Sequence, residues 1–353
     1  MDLSLDSSNL KKWATGVVRV KESDPGVRLL LWRYRFWSQY GNLPKETESL
    51  KRLRLLFGAR GSGADWLIRA LVQFDKSMPC FDTPSERLDP RLVDDNQRWL
   101  LPLGYSKAFQ GFHPFEHMLQ HLSFPKGRML KRSLNKHAGD GISQVKRILV
   151  HEPNGLLLTE ALVRAYRIPM IFMVTDPVYC ADRLLAAEAE DETGYLRDEF
   201  HQVNTSAFLL RFFKKDARRF RKAHKMISTM GDRQERRRYE VVLTLGALNR
   251  MFRYLSAKYQ LMHCVSMADF LRDSTLLSRL AGIYCNAPDQ KMMANYDYQF
   301  SSDILVPDLS RRPRIFDSVD VNQAYRFLSL AGLEEPERLL VVSGSSSSSA
   351  VVA

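Results

Sequence analysis

The stretch "LLFGARGSGADWL", residues 55–67, decides how the rest of the chain is read. It is a short apolar run, a glycine-rich turn and the start of a helical pattern. Gly58, Gly61 and Gly63 let the backbone turn tightly and bring N–H groups close to a ligand. The helix expected from about Ala64 points its positive N-terminus at the same place. Together these features predict an anion nest, to which Arg60 adds a charged donor and Ser62 a neutral one. A nucleoside-triphosphate loop ends in Gly-Lys-Ser/Thr, whereas here Gly63 is followed by Ala64 and Asp65, which weakens kinase and ATPase readings. The plain alternative is a glycine-rich strand–helix turn with no ligand.

Outward from this loop, four apolar runs read as buried strands: "LRLLFG" (53–58), "RILVH" (147–151), "MIFMVT" (170–175) and "MHCVS" (262–266). Their nearly continuous apolar character suits strands covered on both faces. Helical patterns at 65–74, 156–166 and 239–257 fall between them. Strands alternating with helices predict an α/β fold with a central parallel sheet, and ligands of such sheets bind at the carboxyl ends of the strands. The expected organisation is an N-terminal extension over 1–50 packing on the core, an α/β domain over 51–340 and a disordered tail over 341–353. The extension carries "VRLLLWRYRFWSQY" (27–40), read as a helix whose aromatics pack on the domain. The tail "SGSSSSSAVVA" is of low complexity.

The chain has 353 residues, 45% of them hydrophobic, enough for a substantial core. No run approaches the roughly 20 apolar residues that cross a bilayer, and the N-terminus has no secretory pattern, so a cytoplasmic protein is expected. Four widely spaced cysteines, Cys80, Cys180, Cys264 and Cys285, form no CxxC pair and read as buried free thiols. The net charge of +12 points to an anionic partner without naming it. It is densest over 211–238, "RFFKKDARRFRKAHK" and "RQERRR", read as a solvated helix face, with an acidic acceptor as the second reading. His113, His117 and His121 in "HPFEHMLQH" share a helix face but lack the HExxH order, so no metal site is expected.

"HEPNGLLLTEALVRAYRIPMIFMVTDPVYCADRLL" (151–185) reads as a strand end, a helix, and a strand ending in Asp176-Pro177 before a new helix. With the opening loop, this segment resembles the two cofactor motifs of the sulfotransferase family. The first family motif, Gly-x-x-Arg/Lys-Ser-Gly-Thr-Thr-x-Leu, cradles the 5′-phosphosulfate of 3′-phosphoadenosine 5′-phosphosulfate. The second, a strand ending in Arg-Asp-Pro or Arg-Asn-Pro before a helix carrying a serine, holds the 3′-phosphate. "HEPN" resembles the Lys-x-Pro-Asn-like turn between them, and "CVSMADFLRDSTLLSRLAGIY" (264–284) loosely fits the late strand and acidic turn. The resemblance spans roughly residues 53–284 and rests on the order and spacing of its motifs. It implies a P-loop-like fold and sulfuryl transfer to a hydroxyl-bearing acceptor such as a glycan, lipid or small metabolite, with no metal.

Gly58, Ser62, Gly63, Trp66 and Leu67 align with the first motif position for position. The family's cation falls on Gly61, with Arg60 one residue earlier, and Ala64 and Asp65 replace the two threonines. That exchange removes two donors and adds a carboxylate near the anion, at about 1–3 kcal/mol if unscreened. Asp65 can instead cap the helix facing away. Asp176 and Pro177 match the second motif, but Thr175 stands at the family's arginine and Arg183 at its serine. Arg183 is therefore expected to supply the missing charge from another direction. For the general base the resemblance points to His151, or to Asp82 or Glu86, with Glu152 a third choice. An imidazole suits proton abstraction near neutral pH, although a strand-end histidine bonded to backbone is the plain reading. The basic stretch "FPKGRMLKRSLNKH" (124–137) is expected to contribute to an acceptor or cofactor pocket.

Two other functions remain open. One keeps the fold and loses catalysis, leaving a binding or scaffold module, and Gly61, Asp65 and Thr175 argue for it. The other is nucleic-acid binding through 211–238, ranked last because neither interleaved aromatics nor a known motif supports it.

Overall fold

The computed structural model describes residues 50–59, 61–82, 146–151, 159, 163, 167–190, 217–273, 275–291, 293–294 and 315–334, with the backbone alone described for 82, 187, 188, 190, 217 and 271. Five parallel strands form one sheet: β1 Leu53–Gly58, β2 Cys80–Asp82, β3 Ile148–His151, β4 Met170–Val174 and β5 Met262–Ser266. Their spatial order is β2-β3-β1-β4-β5, so the strand that carries the glycine loop is central. The four expected strands are all present, β3 and β4 each one residue shorter. β2 is the addition. Its three residues, Cys-Phe-Asp, are too few to show a period, and pairing with β3 is what defines them.

Alternate residues of each strand feed opposite cores. Leu56, Leu149, Ile171 and Met173 meet helix α1 (Ala64–Phe74), which buries Ala64, Leu67, Ile68, Ala70, Leu71 and Phe74. Helices α5 (Met267–Arg272) and α6 (Leu276–Tyr284) complete that layer. Leu55, Phe57, Val150, Phe172 and Val174 face the other layer, built from α2 (Pro177–Glu190), α3 (Ala217–Ser228), α4 (Arg233–Lys258) and α7 (Ser318–Ala331). There Phe172 stacks on Phe57 at 5.8 Å and on Phe252 of α4 at 4.3 Å between centroids. A sheet covered on both faces needs apolar strands throughout, as these are.

α4 begins at Arg233, six residues before the expected start, because Asp232 caps it: its carboxylate accepts the Gln234 N–H at 2.9 Å. Residues 159 and 163, within the helix expected over 156–166, are helical. The late strand does end in an acidic turn, but its acids are structural. Ser266 and Asp269 form a reciprocal capping box, and Asp273 accepts from Thr275. Asp75, buried after α1, accepts Ser77 and Met78 on one oxygen and the Asn286 and Ala287 N–H groups on the other, clamping α1 to the segment after α6. No helix among the described residues is long and apolar enough to cross a membrane.

The chain leaves β1 toward β2 on one side, whereas β3 to β4 crosses back over β1 and β4 continues to β5 on the other. Right-handed crossovers therefore place the helices after β1 and β4 on opposite faces, as the two cores show. The carboxyl ends of β1 and β4 bound the crevice where such sheets hold ligands.

Candidate anion-binding site

The loop after β1 occupies that crevice. Ser62 N–H donates to Ala59 carbonyl oxygen at 2.9 Å, and Trp66 and Leu67 both donate to Gly63 at 3.1 Å. The amides of Gly63, Ala64 and Asp65 meet no backbone carbonyl among the described residues, and they lie at the positive end of α1. Gly61 and Gly63 have φ of +81° and +93°, the left-handed region that favours glycine. Gly63 is itself the helix N-cap and makes no side-chain cap bond; Asp65, in the first turn, is not the cap.

A Cβ on Gly61 would lie 3.1 Å from the Cβ of Arg183 and 3.5 Å from the Cys180 carbonyl oxygen. The first turns of α2 are thus laid directly against the loop, joining the two segments that the sequence reading paired. Arg183 carries the cation of this junction. Its guanidinium lies over the Tyr179 ring at 5.1 Å, and its Nε and Nη2 are buried with no hydrogen-bond partner among the described residues. Asp182 beside it is fully buried and turned away, accepting the N–H groups of Ile315 and Phe316. Ser62 is buried too, with an Oγ that has no partner among the described residues. Buried donors left unpaired are expensive, and an anion on the loop is the group that would satisfy them.

Ala59, Ser62, Thr175, Cys180 and Asn249 line a narrow crevice beneath the loop. Burial pushes the Cys180 thiol up, and the Asp176 charge adds to this, so the thiol stays neutral. Thr175 is buried just beyond β4, and its carbonyl accepts Asn249 Nδ2 at 2.7 Å. Asp176 is buried as well: Oδ1 accepts the Val178 N–H at 2.9 Å, starting α2, and Oδ2 accepts the Tyr325 hydroxyl of α7. This matched motif residue therefore organises the strand–helix turn. Trp66 packs edge-on against Phe270 at 5.2 Å, and Ala64 lies in the core, so both hold α1 in place.

His151 ends β3, as expected, and it is buried. Its Nδ1 is 3.8 Å from Oδ1 of the largely exposed Asp65. Asp65 thus leans toward His151. Asp82 pairs in register with His151, which brings the two base candidates to one strand end. Arg60, Glu86, Glu152, the three spaced histidines and 124–137 lie outside the described residues. Asn249 and Tyr325 carry no sequence signal for this site, because helices far along the chain deliver them. No group of residues able to hold a metal ion occurs among the described residues. Comparison of the chain with protein-family models, with curated proteins and with solved structures finds no match.

Proposed function

We propose that the protein transfers a sulfuryl group from 3′-phosphoadenosine 5′-phosphosulfate to a hydroxyl-bearing acceptor, on a P-loop-like fold. The observation that carries this reading is the Gly61–Arg183 junction, where the loop before α1 meets an arginine whose Nε and Nη2 are buried with no hydrogen-bond partner among the described residues. The amides of Gly63, Ala64 and Asp65 hold the phosphosulfate, and Arg183 holds the 3′-phosphate in place of the arginine absent at Thr175. The acceptor oxygen forms a bond to sulfur while the sulfur–phosphate oxygen bond breaks in line. Charge grows on the departing phosphate, where the amides and the end of α1 oppose it. The acceptor's proton passes to His151 or Asp82, both at the carboxyl edge beside the loop.

Binding of the product nucleotide 3′-phosphoadenosine 5′-phosphate tests the reading. At 100 times its dissociation constant it stabilises the protein by about 2.7 kcal/mol. Arg183→Ala weakens binding about tenfold or more, the equivalent of one lost charged hydrogen bond. No thermal shift at millimolar nucleotide defeats the proposal. Asp65 favours a second reading, an anion-binding module without catalysis, because it puts a carboxylate in the first turn of the nest. Nucleotide binding with no release of 3′-phosphoadenosine 5′-phosphate from the donor across acceptor classes would select it.

A further inference from the structure

We infer that the exposed face of α3 is a docking surface for the phosphate backbone of a nucleic-acid duplex. The helix, "ARRFRKAHKMIS", contains no carboxylate. Phe220, Ala223 and Ile227 are its buried residues, and it packs against α4 and α7. At about 100° per residue, Arg218, Arg219, Arg221, Lys222 and Lys225 fan over roughly 160° of the opposite side. All five are exposed, as is Arg233 at the head of α4. None of the six pairs with a carboxylate among the described residues, whereas Arg238 and Arg279 pair with Asp320 and Asp273.

This arrangement works against the helix. Arg218 faces Arg221 and Lys222, Arg219 faces Lys222, and Lys225 faces both Arg221 and Lys222, all at the three- or four-residue spacing where like charges destabilise. Packing needs only the three buried positions and gives no reason to load the rest with one sign. A local choice that opposes its own element is expected where a surface serves a ligand.

The face also selects among anionic partners. Insertion of the helix into a membrane surface needs an exposed apolar stripe, and here Phe220, Ala223 and Ile227 are buried. A single strand is held by stacking on aromatics, but Phe220 points inward. A duplex needs only charge and width. Arg219 and Arg221 stand on opposite flanks with Arg218, Lys222 and Lys225 between them, so the five cations lie across the phosphates of both strands, and guanidinium suits phosphate.

The surface is independent of the sulfuryl-transfer reading, and its test uses the full chain with a fluorescent duplex of arbitrary sequence. Five phosphate contacts give a slope of log affinity against log salt of about −4.5. Lys222→Ala/Lys225→Ala reduces that slope by about 1.8 and weakens binding for every sequence alike, while Arg219→Gln reduces it by about 0.9. Lys291→Ala, an exposed cation elsewhere, leaves binding unchanged. The double variant keeps or raises the parent's melting temperature, since repulsion is removed, which separates lost binding from lost fold. Absence of binding at low salt overturns the inference, as does affinity indifferent to these variants. Retention of a sulfated glycan or of phosphatidylserine vesicles at salt where the duplex is released reassigns the face to that partner.

Discussion

Gly61 is the residue on which the two halves of the site meet. Its backbone is left-handed, and any side chain there pushes on Arg183 at 3.1 Å. Gly61→Ala is expected to destabilise the protein by about 1–2 kcal/mol through backbone strain, measured by denaturant unfolding. It also weakens nucleotide binding, because Arg183 is displaced. On the proposed function, Arg183→Ala separates the two effects, weakening nucleotide binding about tenfold without the backbone penalty. A side chain at position 61 would crowd α2, and Arg183 on α2 is a described cation beside the loop. Nothing local in "GARGSG" reveals this.

At the scale of elements, the carboxyl end of β4 is held by two helices that the sequence reading did not connect with it. Asn249 of α4 bonds the Thr175 carbonyl, and Tyr325 of α7 bonds Asp176. Tyr325→Phe leaves a buried carboxylate oxygen short of a donor. The expected loss is about 1–3 kcal/mol, seen as a lower denaturant midpoint with an unchanged slope. The matched Asp-Pro pair is thus as much a device for starting α2 as a motif, since Asp176 also accepts the Val178 N–H. Apolar runs and helical periods made β1, β3, β4, β5 and α1 legible. β2 was not, because three residues have no period and exist as a strand only through β3.

For the whole molecule, burial sets the pH range of stability. Burial lowers the proton affinity of both His224 and His263 in the fold. Below their ordinary value of 6.5 the unfolded chain binds more protons, so stability falls as pH drops beneath about 6.5. Burial acts oppositely on acids that are neutral when protonated. The Cys285 thiol is pushed up to about 12, with Asp75 adding to the effect. Cys180, Tyr239 and Tyr284 are raised likewise, chiefly by burial. Above about pH 9 the unfolded chain loses protons that the fold retains, and stability falls again. Melting temperatures across pH 5 to 10 are expected to trace a dome, and His263→Gln flattens its acid side.

Local pattern alone determined the strand–loop–helix at residues 55–67, the parallel α/β class and the basic character of 211–238, because each depends on neighbours within a few turns of chain. Tertiary structure decided which groups converge. The strand order puts β1 at the centre and brings α2 against Gly61, where Arg183 buries Nε and Nη2 with no hydrogen-bond partner among the described residues. It turns Asp65 toward His151 and exposes the cations of α3 by burying only its apolar stripe. Contacts between residues far apart in the chain depend on sheet order and crossover hand, which no local window contains.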